Sequence, residues 1–168
     1  MTLDVGDRAP DFTLRDQHGQ DVTLSSFVGS KAVLLVFYPY AFSGVCTGEL
    51  TGFRDRLGDF ETDDTTLLGI SCDPMYTQRA FADRDGIFFP LLADFWPHGA
   101  VASAYGVLDE SEGCASRSSF VVDKAGFVQR VLHSGRGEAR DLDLQAARPQ
   151  PAGYPGRGIF AGRAVTGD

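Results

Sequence analysis

The sequence predicts an α/β sandwich built around a mixed β-sheet. Three observations carry this. Short, wholly apolar runs alternate with helix-spaced stripes in the order β, α, β, α. Two runs of alternating residues open the chain as a hairpin, and a second hairpin follows the alternating units.

The opening hairpin joins residues 11–14 to 21–24 through the polar turn Arg15-Asp16-Gln17-His18-Gly19-Gln20. Residues 32–38 are all apolar or aromatic, as in a parallel strand covered on both faces. From Val45 to Phe60 the positions Leu50, Phe53, Leu57 and Phe60 form one apolar helix stripe. A second buried strand over 66–71 ends at Cys72-Asp73-Pro74, and a helix over 76–85 stops at Gly86. Residues 88–93 form a short strand that Pro90 assigns to an edge or entry position. A short helix over 98–105 closes at Gly106, and strands over 119–122 and 127–131 flank the turn Asp123-Lys124-Ala125-Gly126. Residues 139–148 form at most a weak helix. The domain is expected to span residues 1–148; in 149–168, Pro149, Pro151, Pro155 and several Gly remove any helical period, which predicts an irregular tail.

At 168 residues the chain is long enough for one domain with a substantial core. A net charge of −8 argues against general binding to nucleic acid or an anionic membrane, both of which favour basic surfaces. No apolar run reaches the length of a membrane span, and Met1-Thr2-Leu3-Asp4 does not open a signal peptide, so a cytoplasmic location is expected. Three cysteines, Cys46, Cys72 and Cys114, are too few and too scattered for a disulfide scaffold. They form no Cys-x-x-Cys pair, and no His lies near them at zinc-ligand spacing, so no metal is expected.

The stretch Pro39-Tyr40-Ala41-Phe42-Ser43-Gly44-Val45-Cys46 places one cysteine where a buried strand turns into a helix. The first N–H groups of a helix are unpaired and the peptide dipoles add there, so anions are stabilised. A thiol in such a place tends to ionise, and the thiolate is the form that attacks. Cys46 falls one turn before Leu50 on the apolar stripe, so its sulfur is expected to face a semi-enclosed pocket. Other residues carry plainer readings on pattern alone. Ser43 suits a helix N-cap, Glu49 is an acid in the first turn, and Arg117 is a surface residue before a strand. Cys72 reads first as core and second as a thiol that could resolve oxidised Cys46. Cys114 follows the acidic loop Asp109-Glu110-Ser111-Glu112-Gly113, which raises a thiol pKa and lowers reactivity.

Three segments together resemble the peroxiredoxins (the alkyl hydroperoxide reductase and thiol-specific antioxidant family). Pro39-x-x-x-Ser43-x-x-Cys46 resembles their active-site signature, in which the middle hydroxyl residue is more often Thr. Gly6-Asp7-Arg8-Ala9-Pro10-Asp11-Phe12-Thr13-Leu14 resembles their first strand, and Arg117-Ser118-Ser119-Phe120-Val121-Val122-Asp123 the segment bearing their active-site arginine. The resemblance covers residues 3–133. The run Phe89-Pro90-Leu91-Leu92-Ala93-Asp94-Phe95-Trp96-Pro97-His98-Gly99 is most similar to the one-cysteine alkyl hydroperoxide reductase E type. The tail departs from the amphipathic helix with which such proteins usually finish.

The resemblance implies a thioredoxin-like fold and thiol-dependent reduction of hydrogen peroxide and organic hydroperoxides through a sulfenic acid at Cys46. It implies roles for Arg117 in supplying positive charge, for Ser43 in bonding sulfur and peroxide, for Pro39 in shielding the thiolate, and for Glu49 in orienting Arg117. The backbone N–H groups of Val45 and Cys46 would hold peroxide oxygens. It also implies no cofactor, a homodimer, and an external thiol reductant: mycothiol with a glutaredoxin-like protein, or thioredoxin. A peroxide-responsive sensor and a thiol–disulfide oxidoreductase are the alternatives. The latter predicts a cysteine three residues after Cys46, where Glu49 stands.

Overall fold

In the computed structural model, which describes residues 3–135, 138 and 140–145, a seven-stranded mixed sheet carries the molecule in the order β2-β1-β5-β4-β3-β8-β9. The strands are β1 (Thr13–Arg15), β2 (Asp21–Thr23), β3 (Ala32–Phe37), β4 (Thr65–Ser71), β5 (Leu91–Ala93), β8 (Ser118–Val122) and β9 (Val128–His133). A separate small hairpin joins β6 (Leu108–Asp109) to β7 (Cys114–Ala115). The helices are α1 (Gly44–Asp55), α2 (Leu57–Phe60), α3 (Met75–Asp85), α4 (Ala100–Ala104) and α5 (Leu142–Gln145).

The apolar runs become the sheet centre because every residue of β3 and β4 is buried. These two strands are parallel, from Ala32 beside Thr65 to Phe37 beside Ile70. Side-chain alternation then builds two cores. Leu34, Val36 and Tyr38 face α1, α2 and α3 through Leu50, Phe53, Phe60 and Phe81. Val33, Leu35 and Phe37 face the other way, toward α4, Tyr105 and Phe120. Tyr105 stacks at 5.4 Å from Phe37 and 5.1 Å from Phe120, with tilted or edge-on rings that suit aromatic quadrupoles.

One expectation is corrected. The helix over 45–60 divides at Arg56 (φ −112°, ψ 25°), yet the stripe continues across the break because Phe53 and Phe60 pack at 4.9 Å in one core. Of the edge or entry position expected from Pro90, the entry position holds: Pro90 immediately precedes β5, which is interior, pairing with β4 and, through Ala93, with Arg15 of β1. The loop before Cys114 is bounded by the β6–β7 hairpin. Gly86 ends α3 in the left-handed region (φ 64°), as its place in the sequence implies. The boundary at 148 and the tail over 149–168 lie outside the described residues. Among the described residues, no helix is long and apolar enough to cross a membrane.

Candidate active site

The topology assembles one cluster at the carboxyl end of β3. The chain leaves β3 through Pro39 and enters α1 at Gly44, so Cys46 lies in the first turn of that helix. β8 runs antiparallel to β3, with Ser118 beside Phe37. Arg117, just before β8, therefore lands at the same sheet end as Cys46. Residues 71 apart meet there: an Arg117 guanidinium nitrogen donates to Cys46 Sγ at 3.4 Å, and both residues are buried.

The rest of α1 completes the cluster. Glu49, one turn after Cys46, is buried and forms ion pairs with Arg117 and with Arg140, the latter at 2.8 Å. Arg140 also donates to the Phe37 carbonyl and, at 3.3 Å, to the Ser118 carbonyl, while its own amide reaches Glu49 at 3.3 Å. One carboxylate thus holds two guanidinium groups, and the second grips the β3–β8 ladder. Burial lowers Arg140 first, then the Arg117 charge beside it, to about 9, while Cys46 acts in the opposite direction. It stays cationic at neutral pH.

Arg140 was not legible in the sequence. It lies in the polar run Glu138-Ala139-Arg140-Asp141, which reads as solvated. The available signal is the following Leu142, which packs on the α1 core beside Gly52, where a Cβ would stand 3.0 Å from the Leu142 side chain.

Ser43 caps α1, its Oγ accepting the Cys46 N–H at 3.3 Å. This alters one expectation, because that amide hydrogen is directed at Ser43 rather than held open for a peroxide oxygen. As the acceptor there, the Ser43 hydroxyl keeps its own O–H for donation. Pro39 is buried and shares with Arg117 and Cys114 a cavity of about 160 Å³ that Asp109, Ser116 and Ser134 also line. Phe42, between Pro39 and the cap, takes φ 67°, unusual for a bulky residue. Its ring lies 5.2 Å from Phe81, and the Arg84 guanidinium covers it at 4.7 Å, which fastens the strained turn.

The sheet separates Cys46 from Cys72. Cys46 belongs to the core with Leu34, Val36 and Tyr38, and Cys72 to the opposite one with Phe37 and Ile70. All three cysteines are free and buried. Burial, reinforced by Asp94, Cys114 and Asp73, pushes the Cys72 thiol up to about 12. Among the described residues, no group of three or more His, Cys, Asp or Glu is placed to hold a metal ion.

Comparison with known proteins follows the same lines. Residues 5–131 match the AhpC/TSA family. The chain is 53% identical over 142 residues to alkyl hydroperoxide reductase E of Mycobacterium tuberculosis, covering 84% of this chain and 93% of that protein. The crystal structure of peroxidoxin BcpB from M. tuberculosis superposes with a TM-score of 0.71 at 36% identity, covering 77% of this chain and 85% of that one. Enterococcus faecalis AhpC superposes at 0.76 with 30% identity, covering 86% and 88%.

Proposed function

The chain belongs to the AhpC/TSA family, the peroxiredoxins, and is a thiol-dependent peroxidase; from that premise we propose that Cys46 is its attacking sulfur and that it works as a one-cysteine enzyme. The observation that carries this is the Arg117 donor at 3.4 Å from a fully buried Cys46 Sγ. A thiolate there attacks one peroxide oxygen in line, the O–O bond breaks, and hydroxide or alkoxide leaves. Arg117 offers positive charge where negative charge develops, in a site closed to water. Ser43 donates to a peroxide oxygen, Pro39 shields the sulfur, and Glu49 with Arg140 holds the Arg117 fork.

The product is a Cys46 sulfenic acid, the first rung of thiol oxidation. Its reduction falls to an external thiol. The placement of Cys46 and Cys72 in cores on opposite faces of the sheet supports that reading, since a disulfide between them needs at least one of these buried thiols to leave its core. The likeness to the E-type reductase supports alkyl hydroperoxides as substrates alongside hydrogen peroxide. Mycothiol with a glutaredoxin-like protein, or thioredoxin, is the proposed reductant; a homodimer and a cytoplasmic location complete the reading.

Stopped-flow oxidation of the reduced protein by hydrogen peroxide and a lipid hydroperoxide, followed by mass spectrometry, tests this. One added oxygen at Cys46 is expected at stoichiometric peroxide. A Cys46–Cys72 disulfide as the main product would overturn the one-cysteine assignment. Arg117→Lys keeps a charge but loses the planar fork, and is expected to slow Cys46 oxidation by about 10²-fold in the same assay.

A further inference from the structure

The turn that carries Pro39 and Ser43 is held from outside by polar side chains that take no part in the chemistry above. They gather where β3, β4 and β5 end. Tyr38 follows β3, Ser71 closes β4, Asp73 comes two residues later, and Gln78 stands in the first turn of α3. Tyr38, Ser71 and Gln78 are fully buried, and Asp73 is half-buried. The Ala41 N–H, in the middle of the turn, donates to Asp73 Oδ2 at 2.8 Å.

The direction of each bond in this chain is fixed by chemistry. The Leu92 carbonyl can only accept, so the Gln78 amide turns its nitrogen that way, at 3.1 Å, and presents Oε1 to the Tyr38 hydroxyl at 2.5 Å. Burial pushes the Tyr38 phenol far above its usual range, so it stays a donor. The same Gln78 nitrogen donates to Ser71 Oγ at 2.7 Å, and the Ser71 hydroxyl gives its own hydrogen to Asp73 Oδ2, also at 2.7 Å. One carboxylate oxygen therefore takes a hydrogen from the buried network and another from the turn. A network satisfied in this way is stiff. The turn needs a stiff hold, because Phe42 at φ 67° persists only where its surroundings impose that backbone. Ala41 directly precedes Phe42, and Ser43 directly follows it.

We propose that Asp73 is a positioning residue of the peroxidase site: its carboxylate, braced by Ser71, Gln78 and Tyr38, sets the turn so that the Ser43 hydroxyl meets the incoming peroxide. This rests on the donation by Ser43 proposed above. The Ser43 N–H reaches the Tyr40 carbonyl at 3.4 Å, and Ser43 Oγ accepts the Cys46 N–H at 3.3 Å, so a shift at Ala41 is carried straight to that hydroxyl. The Cys46 sulfur is held differently, by the Arg117 donor and by the packing of α1 on its core. Loss of the Asp73 carboxylate therefore displaces the peroxide's donor and leaves the sulfur in place.

The test compares the full-length chain with its Asp73→Ala, Asp73→Asn and Ser43→Ala variants, and with the Asp73→Ala/Ser43→Ala double variant, by stopped-flow oxidation of Cys46 with hydrogen peroxide. Asp73→Ala is expected to slow oxidation by about 10-fold or more, as misplacing an oriented group does. Asp73→Asn keeps an acceptor oxygen for the Ala41 N–H and is expected to recover most of that loss. The double variant is expected to be no slower than Ser43→Ala, because Asp73 acts through that hydroxyl. Iodoacetamide needs the sulfur but no peroxide donor, so it is expected to alkylate Cys46 of Asp73→Ala at the wild-type rate, whereas a merely loosened structure would speed it. Ser71→Ala removes the brace and leaves the carboxylate on Ala41. It is expected to show the same pattern at a smaller size, and it decides the matter should Asp73→Ala not fold. Wild-type oxidation in Asp73→Ala, or in Ser71→Ala where that variant stands in, would overturn the proposal, as would losses that multiply in the double variant. Ser43→Ala oxidised at the wild-type rate would instead remove the donation on which the proposal rests, and an unoxidised Cys46 in the unaltered chain would strike at the peroxidase assignment of that residue.

Discussion

Cys46→Ser is expected to fold normally and to reduce hydroperoxides on the order of 10³-fold or more slowly, down to the level set by its remaining thiols. Serine differs from cysteine by one atom, and Arg117 can donate to its oxygen as it does to sulfur, so the buried hydroxyl keeps a partner. A melting temperature close to wild type is therefore expected. The hydroxyl, however, stays protonated at neutral pH and attacks O–O bonds poorly. Neither other cysteine can stand in. Cys72 lies across the sheet, with its thiol raised to about 12 by burial and acidic neighbours. Cys114 has no capped helix start behind it. Peroxide consumption followed by stopped flow decides the matter, and a variant that keeps even a tenth of the wild-type rate would displace Cys46 from the mechanism.

The strand, the turn and the first helical residues around Cys46 were legible because each rests on a local rule. Seven apolar residues in succession fit a strand covered on both faces, and Ser43 three residues before Cys46 fits an N-cap. Gly86 and Gly126 mark their turns because both adopt positive φ. What was not legible depends on tertiary contact. Nothing local distinguishes Arg140 from the exposed arginines; only the docking of Leu142 on α1 carries it inward to Glu49. The break at Arg56 leaves no trace in the hydrophobic period, since both segments bury the same stripe. The interior place of β5 follows from the N-terminal hairpin folding beside it, a contact between residues 15 and 93 that no local window contains.

Glu49 offers the sharpest separation of structure from chemistry. Its carboxylate lies between two buried guanidinium groups, and all three side chains are almost wholly enclosed. Glu49→Gln preserves shape but takes from two buried guanidinium groups the carboxylate they share. Breaking a buried pair in this way costs about 3–5 kcal/mol, against a total of about 5–15 kcal/mol for a typical domain. Urea unfolding of the variant should show a loss of that size with the slope unchanged. The oxidation rate should fall as well, because Arg117 loses the partner that aims its fork at Cys46. Arg140→Met added to Glu49→Gln removes one of the two buried charges. The double variant is then expected to be more stable than the sum of the single losses, while Cys46 oxidation stays slow because Arg117 remains unanchored. Strict additivity in the unfolding data would mean that the two arginines do not share the carboxylate, and recovery of the oxidation rate in the double variant would mean that Glu49 does not act through Arg117.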